Sequence, residues 1–153
     1  MTHILRFAQV FALGTWLGSI VYLSFVVVPG AFSILSSRDQ AGAVVAFALG
    51  WLHHLGVVAA VIHLVASFWL EPPFKALVQP AVLGVILMLL LTLASQKVVT
   101  PRMAALRPQM VSVNATPPDN PLHVEFDRLH CISVRLEGSV LLIGLAALFP
   151  SST

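Results

Sequence analysis

The chain has 153 residues, of which 58% are hydrophobic and 9% charged, and a mean hydropathy of +0.95; soluble domains run near 25% charged, roughly. That composition excludes an ordinary soluble domain. The net charge of +2 is too slight to point to nucleic acid, and the one cysteine, Cys131, excludes an internal disulfide and a multi-cysteine metal cluster.

Two stretches of 31 residues, 7–37 and 40–70, contain no Asp, Glu, Lys or Arg. Two more uncharged stretches are 76–96 and 138–153. A bilayer core is about 30 Å thick and a helix needs about 20 mostly apolar residues to cross it. The chain therefore reads as all-α, an integral membrane bundle of four transmembrane helices forming one domain over 1–153, with no room for a soluble one.

Span one is predicted over about 5–28. Its N-terminal region carries only His3 and Arg6 as basic residues; the apolar run is longer than a signal-peptide core and no small-residue cleavage site closes it, so it reads as a retained signal anchor. Pro29-Gly30 is expected to break or bend it. Ser36-Ser37-Arg38-Asp39-Gln40 follows, with Ser37 or Asp39 placed to cap the next helix. Span two is predicted over about 40–69 and is stopped by Glu71-Pro72-Pro73. Span three is predicted over about 75–99, with Pro80 in its first turns and Thr100-Pro101 at its end. Residues 103–110 read as a short surface segment, and 111–121, with three prolines, as a loop. Asn114-Ala115-Thr116 matches the glycosylation sequon, but Pro117 and the expected cytoplasmic side make it a chance match. Span four is predicted over about 123–149.

Orientation follows from Lys and Arg near the span ends. Arg38, Lys97, Arg102, Arg107 and Arg128 face the loops joining spans one to two and three to four, against Arg6 and Lys75 on the other side. This places both termini outside the cytoplasm, with a bacterial inner membrane the expected location.

Within the spans, small and polar residues cluster at helical spacing. Gly14, Thr15, Gly18, Ser19 and Tyr22 share one side of span one, and Gly42, Ala46, His53, Gly56, Ala60 and Ser67 one broad face of span two. Gly14, Gly18 and Gly56 are the expected points of close helix packing. A histidine in a membrane is a functional candidate, because an unpartnered polar side chain is costly in lipid. His53, His63 and His130 are candidate axial ligands for a haem or chlorophyll. His53 and His63 lie ten residues apart, about 15 Å along a helix, too far to share one metal.

Span four carries a stripe of His123, Asp127, His130, Val134 and Glu137, expected to face the bundle interior. Asp127, His130, Arg135 and Glu137 form the candidate polar intramembrane site. Arg135 and Glu137, two residues apart, face opposite ways and cannot satisfy each other. Glu137 is expected to pair with Arg6, Gln9, His53 or His54.

Three segments together resemble a known family. They are Ala12-Leu13-Gly14-Thr15-Trp16-Leu17-Gly18-Ser19 with Val28-Pro29-Gly30-Ala31-Phe32, then Thr100-Pro101-Arg102-Met103, then Phe126-Asp127-Arg128-Leu129-His130 with Ser133 and Glu137-Gly138. This order resembles the four-helix membrane proteins of the transmembrane protein 205 type, whose bacterial members are grouped as a domain of unknown function, number 4149. The resemblance implies a four-span membrane protein and carries no catalytic residues over.

No nucleophile–base pair stands out, so the chain is not expected to be an enzyme. It reads as a small transport-related membrane protein or an accessory subunit of a membrane complex. Its partners are then the lipid bilayer and, for an accessory role, other membrane subunits. The alternative is a haem- or chlorophyll-binding subunit of an electron-transfer or photosynthetic complex. No cofactor is firmly implied.

Overall fold

The structure is a computed structural model that describes residues 1–110, 112–113 and 115–151, with Pro150 and Ser151 described by backbone alone. Asn114 of the sequon and Val111 at the start of the predicted loop lie outside the described residues. The fold is all-α, with no strand among the described residues. Four helices are long and apolar enough to cross a membrane: Thr2–Ile34, Arg38–Leu70, Pro80–Gln109 and Pro121–Phe149. These are spans one to four below.

Two of the spans run through prolines that were expected to break or end them. Span one is helix α1 (Thr2–Tyr22), a π-helical turn (Leu23–Val27) and α2 (Val28–Ile34). Span two is α3 (Arg38–Leu70), and a single turn, α4 (Pro73–Leu77), follows it. Span three is α5 (Pro80–Ala94), a second π-helical turn (Ser95–Val99), α6 (Thr100–Leu106) and a 3₁₀ turn (Arg107–Gln109). Pro29 and Pro101 both lie just past a π turn. A proline ring clashes with the carbonyl four residues before it. Those carbonyls belong to Phe25 and Lys97, inside the widened turns, so each helix continues instead of breaking. Thr100-Pro101 therefore does not end span three, and 103–110 extends it rather than lying apart on the surface. Its start also differs: Lys75 belongs to α4, and Pro80 opens α5 at the first-turn position where its missing N–H costs nothing.

Ser37 caps span two by accepting from Gln40 N (3.5 Å). Span four is α7 (Pro121–Ser151). The four spans run up and down, each packed on the next and span four closing back on span one. Spans two and four therefore face each other across the diagonal. The core between them is Leu13, Trp16, Leu17, Ile20, Ala60, Val85, Met88 and Val140. At one end Asp39 accepts from Ser112 Oγ and from Val113 N (3.3 Å), and Arg107 Nη2 donates to Gly42 O (3.2 Å). At the other, Gln9 Nε2 donates to Ser67 Oγ (2.8 Å).

Candidate functional site

The polar chemistry of the interior is carried by span two. Its buried face runs through Leu52, His53, Gly56, Ala59, Ala60, His63, Ala66 and Ser67, the spacing of one side of a helix. His53 and His63 are each only 1% exposed. Both side chains meet polar partners from other spans.

His53 Nε2 lies 2.7 Å from Glu137 Oε1. This contact joins spans two and four across the bundle axis. An ionised carboxylate can only accept, so in that state the ring donates through Nε2–H. His53 Nδ1 is buried without a hydrogen-bond partner, as are Thr92 Oγ1 and Ser95 Oγ of span three. The hydrogen bond of Gln96 Nε2 to His54 Nε2 (3.4 Å) sets Ser95 and His53 at the same level of the bundle. Thr92 lies about one turn from Ser95, and Ser95 opens the π turn. Buried polar groups are nearly always paired, and an unpaired one costs about 1–3 kcal/mol. His53 Nδ1 and these two hydroxyls make this level of the bundle polar and underfilled in hydrogen bonds.

About 15 Å further along span two, by helical rise, stands a second polar centre. His63 Nδ1 approaches Gln9 O at 3.4 Å, and Ser67 Oγ donates to His63 O at 2.8 Å. Between the two centres the bundle is packed with apolar side chains. The Trp16 ring sits against Gly56, so closely that an added Cβ would lie 2.5 Å from it. Leu13, Val85 and Met88 complete the plug, each at most 1% exposed.

Several sequence expectations need correction. The span-four stripe does not face the interior. Asp127, His130, Val134 and Arg135 are exposed; His123 is half-buried but turns to the preceding loop, its Nδ1 2.9 Å from Thr116 O, and Glu137, also half-buried, turns inward. The seam that packs inside is Phe126, Leu129, Ser133, Val140 and Ala147. At about 100° per residue His130 and Asp127 lie progressively further round the helix from that seam. Arg135, expected to need a partner on another span, is on the outer face and in no ion pair among the described residues. His123 and Asp127 approach each other within their own helix at 3.5 Å.

Gly14 and Gly18 do not hold a helix crossing either. A Cβ at either position meets nothing within 4 Å, because the inward side of span one belongs to Leu13, Trp16, Leu17 and Ile20. The tight glycines are Gly56, against Trp16, and Gly144, against Leu17 and Met88. Of the candidate axial ligands, His53 has Nε2 engaged by Glu137, His63 borders a cavity, and His130 is on the outer surface. Among the described residues no three of His, Cys, Asp and Glu converge as a metal-ligand set. Gln9, one of the expected partners of Glu137, bonds Ser67 instead, and Thr92 and Ser95 carried no sequence signal beyond being polar residues in an apolar run.

A family model described as a domain of unknown function, DUF4149, matches residues 11–112, two thirds of the chain. The chain belongs to this family. No curated protein and no solved structure matches it. The DUF4149 match takes in spans one to three with His53, His63, Thr92 and Ser95, while Glu137 lies beyond it on span four. With its four long apolar helices, this DUF4149 chain is a multi-pass membrane protein.

Proposed function

We propose that the protein is a non-enzymatic, transport-related membrane protein in which the His53–Glu137 couple takes up and releases a proton. The observation that carries this reading is the 2.7 Å contact between a fully buried histidine and a half-buried glutamate on diagonally opposed spans. Ionisable groups inside a membrane bundle are costly, and proton relays are a principal use of them. Two polar centres about 15 Å apart on one helix, separated by the Trp16–Met88 plug, give the arrangement of a pathway closed in its middle.

In this reading the protein lies in a bacterial inner membrane with both termini outside the cytoplasm, as the arginine asymmetry favours. The likeness to the transmembrane protein 205 type belongs to the same reading; two of its three segments fall inside the family match and the third, on span four, outside it.

The test is proton movement in proteoliposomes carrying an internal pH-sensitive dye, with a potassium diffusion potential as driving force. Vesicles with the wild-type protein are expected to change internal pH faster than protein-free vesicles, and Glu137→Gln is expected to abolish the difference. Wild-type vesicles no faster than protein-free ones, or a Glu137→Gln variant as fast as wild type, contradict the reading.

A further inference from the structure

A cavity of about 430 Å³ opens at the end of the bundle where spans one and three begin and span two ends. That volume lies within the range of small-molecule sites, roughly 300–1,000 Å³. Its floor is built from buried side chains, His63 at 1% and Ser67 at 2% exposure. The polar atoms of the floor are already sorted. Ser67 Oγ donates to His63 O and accepts from Gln9 Nε2, both at 2.8 Å. A carbonyl only accepts, so the 3.4 Å contact of His63 Nδ1 with Gln9 O makes Nδ1 the protonated nitrogen. His63 Nε2 is then an acceptor for whatever occupies the cavity.

The wall adds one full charge of each sign, the Arg6 guanidinium and the Glu71 carboxylate. Neither is in an ion pair within 4.0 Å among the described residues. Leu70, Pro80 and Ala81 make an apolar patch on the same cavity. A purely anionic solute would meet Glu71, and a purely cationic one Arg6. A metal ion finds no three-ligand set among the described residues.

We propose that this cavity binds a small zwitterion with an aliphatic side chain, of the α-amino acid type. Its carboxylate takes the Arg6 guanidinium, its ammonium group donates to His63 Nε2 and Glu71, and its side chain lies on Leu70, Pro80 and Ala81. The assignment deepens the transport reading, on which it rests, by naming the class of solute.

The test is calorimetric titration of the protein in lipid nanodiscs with L-leucine, 4-methylpentanoate and 3-methylbutylamine, the last two each lacking one of leucine's charges. Leucine is expected to bind at least about tenfold more tightly than either, since a charge-assisted hydrogen bond is worth about 1.5–3 kcal/mol. Glu71→Gln should remove leucine's advantage over 4-methylpentanoate, and Arg6→Gln its advantage over the amine. The ligand-free melting temperature of both variants should match wild type, because both side chains are exposed at the rim. Absence of leucine binding, equal affinity for the three compounds, or advantages that survive both substitutions overturns the proposal. Binding is read without a gradient, so a protein that binds leucine but passes no proton contradicts only the proton couple.

Discussion

A single oxygen–nitrogen contact organises the interior of this protein. The His53 side chain is fully buried, and among the described residues Glu137 supplies its one hydrogen bond. Glu137→Gln keeps an acceptor within reach of Nε2–H and is expected to cost about 1 kcal/mol of stability in detergent. Glu137→Leu leaves the buried ring without a partner and should cost about 1–3 kcal/mol. Combining it with His53→Phe should recover part of that loss, because residues in contact do not contribute additively. Thermal unfolding of wild type, the two Glu137 variants, His53→Phe and the double variant checks this, and a double variant whose loss equals the sum of the Glu137→Leu and His53→Phe losses contradicts it. The pairing of Glu137 with another span was legible in the sequence, since a mid-span carboxylate demands a partner and His53 was among the few within reach. That His130 and Asp127 turn outward was not. Both stand within about three turns of the start of span four at Pro121, near its end, where a polar side chain reaches the membrane boundary without facing the bundle.

At the scale of the helices, span lengths follow from composition, but which side of each helix packs depends on the largest side chains. Span one turns Leu13, Trp16 and Leu17 inward and leaves Gly14 and Gly18 in the open. Small residues suit either a close crossing or a lipid-facing side, so their spacing alone did not decide between the two. The π turns before Pro29 and Pro101 were likewise illegible, because a proline reads as a break unless the turn before it widens. The packing yields a sharp contrast. Gly56→Leu drives a side chain into the Trp16 ring and should destabilise the bundle by about 1–3 kcal/mol or more. Gly18→Leu, in open space, should change stability by no more than about 0.5 kcal/mol, as for other outward positions. Melting temperatures in detergent compare the two, and equal losses contradict the packing described.

At the scale of the molecule, Trp51 and Trp69 are both exposed on span two and lie 18 residues apart, about 27 Å along the helix axis. That is close to the thickness of a bilayer core, roughly 30 Å, and tryptophans favour its two boundaries. The proposed orientation is checked by labelling single cysteines from outside intact cells, with Cys131 replaced. Phe74→Cys should be modified and Ser36→Cys spared; the reverse pattern contradicts it. The central claim of the proposed proton couple is that spans two and four meet through His53 and Glu137. Among the described residues no other histidine lies within 4.0 Å of a glutamate carboxylate. Solid-state NMR of the protein in lipid bilayers, with ¹⁵N in the histidine rings and ¹³C in the glutamate carboxyl groups alone, therefore isolates this contact. One short-range nitrogen–carbon transfer is expected in the wild-type protein and none in His53→Phe; no transfer in the wild type, or an unchanged one in the variant, contradicts the account.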